Sequence, residues 1–215
     1  MALVNTLGHD LRSPLTAVRG AATLLLQALD EIPPEKVRDL LAIIDRRVIE
    51  MSDRIEDIIA ACHLDAGDLT VYLEQVEAGV IVRRATDPER PWSRPVHAGE
   101  VPLETRVEAD VERSVQVLRA LISNAIRYSP PDGPIRLTVE PGAEHVDFVV
   151  TDAGPGIPPG EVEHAFERLA HGEDGGPGLG LYLARGLAHA MGGEVTAGAA
   201  QGGGARLSFS LRRSG

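Results

Sequence analysis

Four short clusters in this chain carry side chains that could do chemistry. The first is HDLRSPL (9–15), in which Asp10 adjoins His9 and Ser13 follows at i+4 on the same helical face. An imidazole of ordinary pKa, about 6.5, is largely neutral near pH 7 and can act as nucleophile or base. His9 stands two residues from both Leu7 and Leu11, so it lies off the apolar stripe and is expected to be exposed. Pro14 deletes the backbone hydrogen bond to the Asp10 carbonyl, at roughly 3 kcal/mol inside a helix, and should bend the helix there.

The second cluster is LISNAIRYS (121–129). Asn124 sits about 200° around from Ile122 at ~100° per residue, facing away from the apolar stripe. An amide oxygen suits Mg²⁺, and Arg127 and Tyr128, one turn on, suit phosphate oxygens. The third, DAGPGI (152–157), ends a strand pattern. The Asp152 carboxylate could accept a hydrogen bond from an exocyclic amino group such as adenine's, while Gly154 and Gly156 let the backbone approach a flat ring. In isolation an ordinary turn explains it equally well. The fourth, GGPGLGL (175–181), opens a helix, leaving backbone N–H groups and the positive end of the helix dipole for an anion. Taken alone, a Gly-rich loop is more often a turn.

Of the 21 basic residues Lys36 is the lone lysine. A Walker-type loop and a Ser/Thr-kinase strand both need a lysine at the phosphates. Lys36 lies on a helix of heptad pattern, so both are excluded. The dinucleotide fingerprint also fails, because its third glycine is absent and no strand immediately precedes the loop.

The elements that must position these clusters follow from periodicity. Leu7, Leu11, Leu15, Val18, Ala22, Leu25 and Leu29 make one face of a helix, which Glu31 to Pro34 interrupt. Val37, Leu41, Ile44, Val48, Met51, Ile55, Ile58 and Cys62 step by fours and threes without a miss, a sustained heptad seam. The two helices should fold back as an antiparallel hairpin, and two helices alone cannot enclose stripes of this width. A homodimer pairing two hairpins into a four-helix bundle is therefore expected, with Cys62 on the seam. Asp65–Asp68 reads as the linker.

Beyond it, period-two alternation marks strands at 103–107, 135–139, 146–150 and 207–211, and helical spacing marks 111–125 and 181–191. Helices on one face of a mixed sheet give an α/β sandwich. The Gly/Pro-rich interval 153–180 is long for a connector, and such loops are usually functional.

Composition bounds the rest. The chain has 215 residues, 43% hydrophobic, with a net charge of −11, three phenylalanines and one cysteine. It should fold around an aliphatic core in one or two domains. The negative charge argues against gripping nucleic acid or an anionic membrane, and a lone Cys62 excludes a disulfide framework. With no apolar run of 18 residues and no signal-peptide pattern, a cytoplasmic location is expected.

Together the clusters resemble the sensor histidine kinases of two-component signalling. HDLRSPL is similar to the H box, LISNAIRYS to the N box, DAGPGI to the first glycine box, Phe166-Glu-Arg168 to the F box and GPGLGL (176–181) to the second glycine box. They stand in the family's order, with His9 115 residues before Asn124. The resemblance implies an α+β chain. Residues 1–66 would be a dimerisation and histidine-phosphotransfer hairpin, and 67–215 an ATP-binding α/β sandwich of the GHKL type. His9 would accept the γ-phosphoryl group of ATP, Asp10 would orient it and take its proton, and Ser13 would stand at the water-positioning place of the phosphatase reaction. Asn124 would hold Mg²⁺. Asp152 would read adenine, flanked by Gly154, Gly156 and Ile157. Arg127, Tyr128, Gly176, Gly178, Leu179, Gly180 and Leu181 would line the phosphate end, and Phe166 and Arg168 would join the nucleotide site from the lid at 153–177. A response-regulator receiver domain would take the phosphoryl group from His9.

Departures from the family pattern are Ala120 in place of an asparagine, Arg127 for lysine, Ser13 for Thr or Asn, and Pro177 in the lid. The rival readings are a nucleotide-binding dimeric scaffold without transfer and a mechanical ATPase. The second leaves His9, Asp10 and the bend at Pro14 unexplained.

Overall fold

The computed structural model describes residues 2–28, 32–88, 92–168 and 178–214, with the backbone alone described at 2–11, 28 and 159. Two long helices come first, α1 (Ala2–Ala28) and α2 (Pro34–Ala66), packed along each other. Pro33, at φ −56° and ψ 142°, stands just ahead of α2, and Pro34 occupies its first turn, where a missing N–H costs nothing. α1 runs on through Pro14. α2 stops at Gly67, whose left-handed φ of +71° lets its N–H reach back to the carbonyls of His63 and Leu64.

The heptad seam divides into two rows. Val37, Ile44, Met51 and Ile58, seven apart, are half-buried. Leu41, Val48, Ile55 and Cys62, also seven apart, are exposed, at 53%, 47% and 45% for the first three. One chain therefore covers one row and leaves the other facing outward.

A short strand β1 (Glu74–Glu77) leads into α3 (Ala78–Ala85), and β2 (His97–Ala98) and β3 (Arg106–Ala109) follow. Then come α4 (Val111–Tyr128), β4 (Arg136–Pro141), β5 (His145–Thr151), a 3-10 turn at Pro159–Glu161 and α5 (Val162–Ala165). α6 (Gly180–Ala190), β6 (Glu194–Ala199) and β7 (Ala205–Arg212) complete the lobe. β1 pairs antiparallel with β3; the larger sheet runs β2-β4-β5-β7-β6, antiparallel except where β2 joins β4. β1, α3, β2 and β6 are too short or too weakly patterned for periodicity to announce. Leu103, expected in a strand, is 95% exposed in a turn: Thr105 bonds back to Pro102 through both N–H and hydroxyl, and β3 begins only at Arg106.

The core lies between the sheet and the helices α4 and α6. Phe148 and Phe209 face each other across β5 and β7 with ring centroids 5.8 Å apart, and Leu118, Ile122, Leu183 and Leu187 close over them, all fully buried. Asp110 begins α4 by accepting the Arg113 N–H at 3.1 Å, and its other oxygen takes the Tyr72 N–H at 2.9 Å. That single carboxylate fixes both the helix start and the chain arriving from the hairpin.

Candidate functional site

A cavity of about 900 Å³ opens between the hairpin and the lobe. From the hairpin, Ser13 and Pro14 line it; from α4, Asn124, Arg127 and Tyr128 do so. The strand-end loop supplies Asp152, Gly156 and Ile157, and the start of α6 supplies Gly178, Gly180 and Leu181. Three of the four clusters therefore meet in full view, and the fourth reaches the cavity through Ser13. His9 lies on α1 one turn before Ser13. The side chains of His9 and Asp10, and Gly176, lie outside the described residues.

α4 divides its labour by face. Val115, Leu118, Leu121, Ile122 and Ala125 are buried against the sheet and α6, while Asn124 and Arg127 are half-buried on the cavity side. Arg127 makes no ion pair among the described residues, so its charge is available to an anion. Ala120, also on the cavity wall, offers no polar group.

Asp152 is buried and held by three backbone bonds. Its Oδ1 accepts from the N–H groups of Gly154 at 2.7 Å and Ala205 at 3.1 Å, and its own N–H donates to the Ala205 carbonyl. Oδ2 is the oxygen left for a ligand. Two glycines make this seat possible. A Cβ on Gly154 would stand 2.6 Å from the Tyr128 carbonyl oxygen. One on Gly204, at φ +88°, would stand 2.0 Å from the carbonyl oxygen of Asp152 itself. At the other end, a Cβ on Gly180 would meet nothing within 4 Å among the described residues, and the N-terminus of the 11-residue α6 lines the cavity.

Some expected residues stand elsewhere. Gly154 shapes the Asp152 loop without lining the cavity, and Leu179 is buried just before α6. Phe166 is buried at 5% exposure with the Arg185 guanidinium 4.8 Å over its ring, a core contact and not a cavity wall. Arg168 is ion-paired to Asp65 at 2.6 Å, at the far end of α2.

The sequence reading missed the polar seam that joins hairpin to lobe. Tyr182 donates its hydroxyl to Asp65 at 2.6 Å, so Asp65 holds both Tyr182 and Arg168. That hydrogen bond, aided by burial, pushes the Tyr182 phenol above its ordinary pKa. Asp57 accepts from Gln116 at 2.9 Å, and Asp53 pairs with Arg119, which lies 4.5 Å over the Trp92 ring. Burial raises the Asp57 carboxyl above its usual range, with Gln116 and Arg54 opposing. The available signal was spacing: Asp53 and Asp57 are i,i+4 on one face of α2, and Gln116 and Arg119 are i,i+3 on one face of α4.

Residues 2–67 match the His Kinase A (phospho-acceptor) domain, and residues 109–215 match the histidine kinase-, DNA gyrase B-, and HSP90-like ATPase family. The chain is similar to the sensor protein CreC of Escherichia coli K12, at 33% identity over 98% of this chain and 45% of that protein. Among solved structures it is similar to full-length ShkA in complex with AMPPNP, at 27% identity and TM-score 0.65, over 98% of this chain and 46% of that one. It shares the fold of ThkA, solved with the response regulator TrrA, at 21% identity and TM-score 0.61, over 99% of this chain and 61% of that one. The chain spans less than half the length of the curated relatives it matches.

Proposed function

This chain belongs to the sensor histidine kinases, and from that premise we propose that it uses ATP to phosphorylate its own His9 and passes the group to a receiver-domain aspartate. The observation that carries the reading is the shared cavity, where Ser13, one turn from His9, meets the Asn124 helix, the Asp152 loop and the N-terminus of α6. In this reading residues 1–66 form the phosphotransfer hairpin and 67–215 the ATP-binding lobe.

Each role rests on local chemistry. Oδ2 of Asp152 accepts the adenine amino group, since Oδ1 already carries two N–H bonds. Gly156 and Ile157 line the base side, and Gly178, Gly180 and Leu181 bring the α6 terminus to the phosphates. Arg127 and Tyr128 meet phosphate oxygens from α4. Among the described residues no three His, Cys, Asp or Glu side chains are grouped to hold a metal. Asn124 would hold a Mg²⁺ ion through its amide oxygen, the kind of oxygen donor this cation takes. When bound, it neutralises developing phosphate charge. A neutral His9 ring nitrogen attacks the γ-phosphorus as the bond to the ADP oxygen breaks, and Asp10 takes the proton from the other ring nitrogen. Arg168 is held by Asp65 in this pose, so any part it plays at the γ-phosphate requires that ion pair to open.

The exposed row of Leu41, Val48, Ile55 and Cys62 supports a homodimer, because heptad-spaced apolar residues seek a second hairpin. No helix among the described residues is long and apolar enough to cross a membrane. The reading assigns this segment to the cytoplasm, as the catalytic core of a sensor.

Incubation with Mg-ATP labelled at the γ-position tests the proposal. The chain should gain a phosphoryl group that is stable in base and lost in acid, as a phosphoramidate is, and a receiver domain should remove it. Label that persists in His9→Gln overturns the acceptor assignment.

A further inference from the structure

Segment 92–96, between α3 and β2, has no regular structure, yet it is tied down at both ends. The Trp92 indole N–H donates to the Ala85 carbonyl at 3.2 Å, and its ring lies under the Arg119 guanidinium of α4. At the other end the His97 N–H donates to the Ile135 carbonyl at 2.9 Å, where β2 joins β4. Between these anchors stands Arg94, half-buried. Its Nη1 donates to the carbonyl of Ser129 at 3.3 Å, and its Nη2 donates to the carbonyl of Gly133. Nothing in the motifs singled out this arginine.

Those two carbonyls belong to the turn that connects the two ends of the nucleotide site. Ser129 closes α4, directly after Arg127 and Tyr128, and its Oγ accepts from the N–H of Ala153, next to Asp152, at 3.4 Å. A Cβ on Gly133 would lie 2.7 Å from Ser129 Oγ and 3.0 Å from the Ala153 Cβ, so the turn is pressed against the Asp152 loop. Gly154 is pressed in turn against the Tyr128 carbonyl. The phosphate-side helix and the base-side loop therefore touch at Tyr128 and through this turn. The Arg94 fork spans the turn from its first carbonyl to its last. A planar guanidinium presents N–H groups from two separate nitrogens at a fixed spread, whereas an ammonium's three donors radiate from one atom, and a cation suits the carbonyl end of α4.

We infer that Arg94 is a positioning residue for nucleotide binding: by bridging the carbonyls of Ser129 and Gly133 it fixes Asp152 relative to Asn124 and Arg127 without touching the nucleotide. Arg94 is absent from the cavity wall, although its neighbours Trp92 and Ser93 line it. The inference rests on the kinase reading for the identity of the ligand. It goes beyond that reading in assigning affinity to a residue outside every box.

The test compares wild type, Arg94→Ala and Arg94→Lys in the full chain. The Kd for Mg-ADP is measured by calorimetry, and KM and kcat by labelling of His9. Loss of a charge-assisted fork should raise Kd and KM together by about tenfold. The kcat should stay within about twofold, because a saturated site still holds the same reacting groups. Arg94→Lys should fall between, keeping the charge without the fixed fork. An unchanged Kd in Arg94→Ala, or a fall in kcat at constant KM, overturns the inference. If Arg94→Ala loses the wild-type circular dichroism, Arg94→Lys decides alone: a Kd raised at least about threefold supports the clamp, and an unchanged one overturns it. A wild-type chain that binds ADP but never labels His9 overturns the kinase reading alone, and the Kd comparison still stands.

Discussion

The lobe and the hairpin solve the same problem of hiding aliphatic side chains in opposite ways. In the lobe, Phe148, Phe209, Leu118, Ile122 and Leu187 are wholly enclosed within one chain. In the hairpin, only Ala21, Ala60 and Ala61 among the described residues are buried, and Leu41, Val48 and Ile55 are left about half exposed. The lobe closes its own core; the hairpin leaves an apolar row for another surface to cover. The proposed chemistry joins the two, since the proposed acceptor His9 sits on the hairpin and most of the proposed nucleotide contacts on the lobe.

Five variants would break or sharpen that contrast. The largest effect is expected from Val48→Asp with Ile55→Asp, which places charges on the exposed row. Light scattering should then give the mass of one chain, while Mg-ADP affinity of the lobe is retained; an unchanged dimer mass would show the row is not the seam. Next, Phe148→Ala should cost the lobe about 3–5 kcal/mol in urea unfolding, the usual range for a large aromatic in a closed core. Ile55→Ala should cost a monomeric full chain far less, because a half-exposed side chain has little burial to lose.

Asn124→Ala should cut His9 labelling by about 100-fold, or about 2.7 kcal/mol, with the lobe's melting temperature unchanged. A melting temperature that falls instead would place Asn124 in the core. The smallest effect concerns Asp57, whose carboxyl is raised by burial. A raised folded-state pKa means protonation favours the folded, docked arrangement. That contribution is full below the ordinary carboxylate range and is lost as pH rises through the raised value. Asp57→Asn keeps an acceptor for Gln116 and removes the charge. It should stabilise the chain at pH 7 and flatten the fall of stability as pH rises above the ordinary carboxylate range, read by urea unfolding across pH.

Much of the frame was legible because long elements carry their own period. α4 could be read from Val115, Leu118, Ile122 and Ala125, and the same turn count placed Asn124 on the opposite side, where it lines the cavity. The heptad seam was legible as a single stripe, but a stripe of alternating fours and threes holds two rows. Only packing against α1 decides which row a single chain covers. β2, two residues long, has no period at all. Phe166 and Arg168 were read as ligand contacts through a motif. The ring instead fills the core beneath Arg185, and the guanidinium answers a carboxylate more than 100 positions upstream. Arg94 was invisible for a related reason. Its partners are backbone carbonyls, and a carbonyl has no signature in a sequence.

One consequence belongs to Gly204. It abuts the carbonyl of Asp152 so closely that the bend between β6 and β7 and the loop that reads the base in the proposed function form a lock and its key. One extra residue in that bend would slide the key by a notch, and a pocket intact in every side chain would no longer recognise its base.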